Sequence, residues 1–295
     1  MIHVTTINKD RKLVGRELGY AVVGAGSPSL TEPSTATSLA LRDIAEGLYR
    51  WRLWGLMGWQ DIRQRYRRSV LGPFWLTLSM GVLVGTLGFL YGALFGIAID
   101  DYLPFLTLGF LAWGLIAGVV NEGCVALTAA EPFIKQMRLP FSLHVYRMIW
   151  RNLIIFAHNF VVYIGVAVVF GIWPGIAGLL LLPGLVLIVL TAIWVGLLLG
   201  MICARFRDVP QIVVSVLQVA FFLTPILWKP ELLGDRIAFV QANPFFHFVE
   251  LVRAPLLGSV PGLMTWIVVL ATTLAGWFVT FLFFRRFRAR IAYWV

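Results

Sequence analysis

The junction between residues 61–73 and 74–99 constrains this chain more than any other stretch. Residues 74–99 contain no Asp, Glu, Lys or Arg, and Arg63, Arg65, Arg67 and Arg68 stand directly before them. A helix crosses the apolar core of a bilayer in about 20 residues, so the run is long enough to span. Lys and Arg close to a span are retained on the cytoplasmic side. One junction therefore predicts a membrane protein, a first span and the side from which it starts.

The rest of the chain has the same character. Of 295 residues, 60% are hydrophobic and 13% charged, where a soluble domain carries about 25% charged residues. Six spans are expected, at about 74–98, 103–129, 143–170, 175–203, 209–227 and 262–284. Asp100 and Asp101 end the first, Glu131-Pro132 through Pro140 the second, and Gly171-Ile-Trp-Pro-Gly175 turns the chain after the third. Arg205-Phe-Arg-Asp208 separates the fourth and fifth, Pro210 suits a first helical turn, and Thr224-Pro225 and Lys229-Pro230 stop the fifth. A net charge of +10 would suit nucleic acid, but the distribution points to topology instead. With the amino terminus inside, eleven Lys and Arg precede the first span, four lie at 131–151, two at 205–208 and four at 285–290. Only Lys229, Arg236 and Arg253 fall outside. Both termini are thus expected in the cytoplasm, and no nucleic-acid partner is expected. The fold class is an all-α integral membrane protein. Cys124 and Cys203 lie near expected cytoplasmic ends, where a disulfide does not form.

Residues 1–38 have no apolar signal core and carry a Ser-, Thr- and Pro-containing stretch, expected to be a disordered cytoplasmic leader. Residues 39–73 are expected to hold an amphipathic helix in the headgroup plane. Trp59, Ile62, Tyr66 and Val70 share one face there, with Arg63, Arg67 and Arg68 off it. The 228–261 segment is the longest outer loop. Asn243-Pro244 is a helix start, and the apolar stretch after it predicts a re-entrant or surface-lying helix. The membrane-spanning body is therefore expected at 74–295.

Four groups of residues are candidates for function. Gly81, Gly85, Gly88, Gly92 and Gly96 form a narrow row on the first span, suited to close helix contact or to a conduit wall. Gln211, Ser215, Gln218 and Phe222 form a stripe on the fifth, suited to helix–helix hydrogen bonding or to a hydrated path. Glu122 is an acid well inside a span, and Arg147 and Arg151 approach from the same end on the next, so an ion pair of Glu122 with one of them is expected. His158 and Asn159 lie near mid-membrane, read as buried hydrogen-bonding groups. Enzyme signatures are weak. Gly24-Ala-Gly26 lacks a third glycine, no glycine precedes a lysine as a P-loop requires, and the four histidines are scattered without metal spacing. No cofactor or metal is expected in this chain.

Residues 60–75, Gln-Asp-Ile-Arg-Gln-Arg-Tyr-Arg-Arg-Ser-Val-Leu-Gly-Pro-Phe-Trp, resemble the amino-terminal signature of ABC type-2 export permeases for bacterial surface polysaccharides (O-antigen, capsule or teichoic acid). Arg205-Phe-Arg-Asp-Val-Pro-Gln211, Leu223-Thr-Pro-Ile-Leu-Trp228 and Asn243-Pro244 are similar to later landmarks of that family, in the same order. The resemblance covers about residues 40–295. It implies a homodimer in the bacterial inner membrane around a central channel, moving lipid-linked polysaccharide, with two copies of a separate P-loop ATPase that binds ATP and Mg. It implies that the loop 131–142 holds a coupling helix with Lys135 and Arg138 as ATPase contacts. It also implies that 39–70 borders a lateral opening, that 228–261 holds outer gate helices, and that the first and fifth spans line the conduit. Sugar rings slide on aromatic platforms, for which Trp75, Phe89, Tyr91, Phe95, Phe222 and Trp228 are candidates. Arg63, Arg67 and Arg68 are candidates for attracting the lipid carrier's phosphates. The alternatives are a type-2 permease for a smaller lipid or amphipath, and a membrane-embedded enzyme modifying glycans or lipids.

Overall fold

The computed structural model describes residues 35–295 apart from 66, 68–71 and 73, and at 233 and 235 the backbone alone. All regular structure among the described residues is helical. Two helices, α1 (Ala36–Tyr49) and α2 (Trp51–Arg65), precede the long ones. The bundle itself comprises α3 (Phe74–Phe95), α4 (Ile99–Val125), the short α5 (Glu131–Gln136), α6 (Phe141–Phe170), α7 (Leu181–Arg205) and α8 (Val209–Leu223). It continues with α9 (Ile237–Gln241), α10 (Pro244–Leu256), α11 (Leu263–Phe287) and α12 (Ile291–Trp294). Among the described residues, five segments are long and apolar enough to cross a membrane: α3, α4, α6, α7 with its leading 3₁₀ turn from Gly175, and Leu263–Trp294. The protein is a multi-pass membrane protein.

Local sequence explains the helix ends. Gly171 closes α6 with a positive φ of 64°, a conformation open to glycine at little cost. Asn243 caps α10 by accepting from the Phe245 amide at 3.0 Å, and Pro244 fills the first turn. Helix α4 is the central one, with 56% of its most apolar stretch buried, against 22% for α3 and 11% for α6. It crosses α7 closely because both are bare at the contact: a Cβ on Gly123 would sit 3.3 Å from the Gly196 Cα.

The structure departs from expectation in four places. The stretch expected at 209–227 as a fifth span is a 15-residue helix, α8, which stops at Leu223 before Thr224-Pro225. At 1.5 Å per residue it rises about 22 Å, short of the ~30 Å apolar core. Residues 36–38, expected in the leader, open α1. Thr35 caps it by accepting from the Ser38 amide at 3.3 Å, since Ser and Thr suit caps as well as linkers. The leader proper lies outside the described residues. The 39–73 region forms two helices, broken at Arg50, each docked separately on α6. Finally, of the two forms expected for the helix after Asn243-Pro244, re-entrant or surface-lying, α10 is not the surface-lying one. Phe248, Val249, Leu251, Val252 and Leu256 are buried against α4, α7 and α11, because its apolar residues run nearly all round.

Candidate functional site

Charge gathers at the two ends of the bundle. At the end carrying α2 and α5, four side chains from three helices interlock. Arg147 donates to both carboxylate oxygens of Asp61, with Nε to Oδ2 at 2.7 Å. Arg151 bridges two acids, with Nη1 to Asp61 Oδ2 at 2.7 Å and Nη2 to Glu122 Oε2 at 2.8 Å. The Asn152 amide donates to the same Glu122 oxygen at 2.7 Å, and Arg65 reaches Glu122 more loosely at 3.5 Å. The expected partner of Glu122 is thus Arg151, while Arg147 goes to Asp61. Burial alone would raise the Asp61 carboxyl, but bonding to Arg147 and the nearby charge of Arg151 hold it below the usual carboxylate range.

Sequence reasoning missed Asp61. The clue was its place among Trp54, Gly58 and Ile62 at helical spacing, the face that docks on α6 and not the one turned to solvent. Of the carrier-phosphate candidates, Arg63 is exposed on α2 and Arg67 is exposed just beyond its end, while Arg68 lies outside the described residues. Of the apolar face expected with them, Ile62 is buried and Trp59 exposed.

Beside this network, Asp43 of α1 is wholly buried. Its carboxylate accepts from the Phe141 and Ser142 amides at 3.3 and 3.1 Å, and from Arg288 Nε at 2.8 Å. Sequence reasoning gave Asp43 no role. The short α5 stands next to this cluster. Lys135 pairs with Glu131 at 2.6 Å within α5, and Arg138 is exposed on the link to α6. The chain end, α12, packs against α5 and α7, with Arg207 donating to the Trp294 carbonyl at 3.2 Å.

The stripe on α8 faces outward. Gln211, Ser215, Gln218 and Phe222 are all exposed, while Leu217, Ala220 and Phe221 pack on Trp113 and Phe110 of α4. Within this chain, α4 covers only the later part of the glycine row on α3. Gly88 lies against Leu103 and Gly92 near Tyr102, Gly96 closes the helix at φ 64°, and Gly81 and Gly85 face open space. The aromatic candidates divide in the same way. Trp75, Phe89 and Phe222 are exposed. Tyr91 stacks on Phe95, whose ring meets Tyr102 edge-on, and Trp228 donates to the Phe222 carbonyl at 3.2 Å. His158 Nδ1 lies 2.8 Å from the Ile154 carbonyl within its own helix, and the Asn159 carbonyl oxygen is buried without a partner.

At the opposite end, a cavity of about 560 Å³ is lined by Asp100, Asp101, Lys229, Glu231, Glu250 and Arg253 among others. Lys229 pairs with Asp101 at 2.5 Å. Arg253 is fully buried. It donates to the Pro225 carbonyl at 2.8 Å and to Glu250 at 3.1 Å, and its guanidinium lies 3.8 Å from the centre of the Phe105 ring. No cluster suited to a metal ion occurs among the described residues.

Long apolar helices, a short helix joining α4 to α6 at a charged end, and an exposed polar stripe on α8 make this a multi-pass membrane domain. The chain belongs to the ABC-2 type transporter family, whose model matches residues 52–257, from α2 through α10. It is similar to the O-antigen export system permease protein RfbA of Myxococcus xanthus, 28% identical over 186 residues that cover 61% of this chain and 69% of that protein. A permease of the same name from Klebsiella pneumoniae is 21% identical over 192 residues, 64% of this chain and 74% of the relative.

Proposed function

We propose that this chain is the membrane subunit of a bacterial exporter that carries lipid-linked polysaccharide, of the O-antigen or capsule kind, across the inner membrane. It is a transport subunit and not an enzyme. Two copies form the conduit, and two copies of a separate P-loop ATPase, binding ATP and Mg, drive it. The observation that carries the reading is the exposed stripe of Gln211, Ser215, Gln218 and Phe222. Polar groups facing hydrocarbon are costly, so this face belongs against a second copy or a hydrated path. Amide and hydroxyl groups beside an aromatic ring suit sugars, which offer hydroxyl rims and apolar faces. The names of the relatives support the same substrate class.

In this reading α8 and the 224–228 segment supply the sixth crossing, and both termini are cytoplasmic. Helices α1 and α2 lie at the cytoplasmic leaflet, and α5 with Lys135 and Arg138 meets the ATPase. The cavity around Arg253 opens on the outer side, among the gate helices. Deleting the gene tests the assignment: lipid-linked glycan accumulates inside and surface glycan disappears, whereas normal surface glycan would overturn it.

Two substitutions probe the path. Gln218→Leu should lower export about tenfold, the equivalent of about 1.4 kcal/mol and of one lost hydrogen bond, at unchanged thermal stability. Export equal to wild type removes Gln218 from the path. Replacing Arg63 and Arg67 with Gln should raise the substrate level needed for half-maximal export roughly fivefold per arginine, from about 1 kcal/mol each at the headgroups. An unchanged half-saturation level would leave them as orientation signals.

A further inference from the structure

The cluster around Asp43 joins three segments that are remote in sequence. Helix α6 starts at Phe141 with Pro140 before it, a residue that has no side chain able to cap. The first amides of any helix lack internal partners, and here α1 supplies them: the Asp43 carboxylate accepts from the Phe141 and Ser142 amides. Two more bonds run back from α6, from the Ser142 hydroxyl to the Asp43 carbonyl at 2.7 Å and from the Tyr146 hydroxyl to the Ile44 carbonyl at 3.1 Å. Gly47 closes the contact, since a Cβ there would run into the Ser142 hydroxyl. The third segment is the end of α11. Arg288 pairs with Asp43, and its guanidinium lies 5.6 Å from the centre of the Phe141 ring. Only residues 137–140 separate this cluster from α5.

A water-capped helix start and an exposed arginine would be the simpler arrangement. A buried ion pair contributes little net stability once its desolvation is counted, and its best-attested use is to fix one geometry. Asp43 and Arg288 both lie outside the matched residues 52–257, so nothing about the cluster follows from the family match.

We propose that Asp43 is a positioning residue that makes α1, the start of α6 and the end of α11 move as one body, so that a displacement of α5 is passed directly to α1. The proposal rests on the exporter reading in one respect, that α5 is where the ATPase docks. The test uses the full chain co-expressed with its partner P-loop ATPase. Three quantities are compared: yield of the assembled complex, its ATP hydrolysis, and glycan reaching the surface. In Asp43→Asn and Arg288→Gln, complex yield and hydrolysis should stay within about twofold of wild type while export falls about tenfold or more, the scale of a lost coupling. Arg288→Lys should restore at least half of the export. A purely structural role predicts instead that export falls only in step with complex yield. That result, or full export, overturns the proposal. If Asp43→Asn does not assemble, Arg288→Gln decides alone, since it leaves both amide bonds to Asp43 in place. A wild-type complex that hydrolyses ATP but exports no glycan would sink the exporter reading, and the assignment of Asp43 with it.

Discussion

Replacing Arg151 with Met is expected to cost about 3–5 kcal/mol of folding stability, the range for removing one partner from a buried ion pair. The carboxylates it bridges are largely out of water, with side-chain exposures of 16% for Asp61 and 20% for Glu122. Arg147 still holds Asp61 after the change, and Asn152 still donates to Glu122, so the loss belongs toward the lower part of that range. Arg65 provides the comparison. It reaches Glu122 at 3.5 Å from a half-exposed position, and Arg65→Met should cost about 1 kcal/mol or less. Unfolding titrations of the three proteins in the same micelles check the ranking. Equal losses for the two variants would mean that the network's burial does not govern its strength.

The second large effect is expected at the opposite end, for Arg253→Met. Here the guanidinium itself is fully buried, and removing it leaves the Pro225 carbonyl without its donor and Glu250 without its cation. It also strips the charge from the face of Phe105. A loss of about 3–5 kcal/mol follows. It should be local, because the Pro225 bond ties the segment after α8 to α10. Amide exchange across 224–243 should therefore rise more than in α4 or α7. Gly109→Ala should reproduce part of the effect, about 1–3 kcal/mol, because the new Cβ would lie 2.5 Å from Arg253 Nη2 and must push it aside. Uniform acceleration of exchange along the whole chain would show that Arg253 supports the global fold and not this segment.

Much of the fold could be read from sequence because the relevant signals are local. A charge-free run, a Pro at a first turn, a Gly after a last turn and an Asn-Pro pair each act over a few residues. They placed α3, α4, α6, α7, α10 and α11 to within several positions. The pairing of Glu122 was legible because two arginines one turn apart approach it across a single hairpin. Asp43 and Asp61 were not, because their partners lie far along the chain, up to Arg288 at the other end. Helical spacing says which face a residue occupies but not what that face meets. The α3 glycines show the same limit. Their spacing is regular, yet α4 covers Gly88 and Gly92 and leaves Gly81 and Gly85 open, a division set by the crossing point and not by the sequence of α3 alone.

The shortness of α8 has an electrical side. An apolar slab resists polar cargo in proportion to how far the cargo must travel without water, and a slab about 22 Å thick is a weaker insulator than one of ~30 Å. In the proposed topology α8 belongs to the sixth crossing, and at 15 residues it is far shorter than α4 with 27 or α6 with 30. In that arrangement a hydroxyl-rich polymer threading beside α8 would spend fewer of its units dehydrated at any instant. That part of the barrier would then be lowered by geometry before any side chain touches the cargo, and lengthening α8 by one turn would restore it with every polar residue of the stripe still in place.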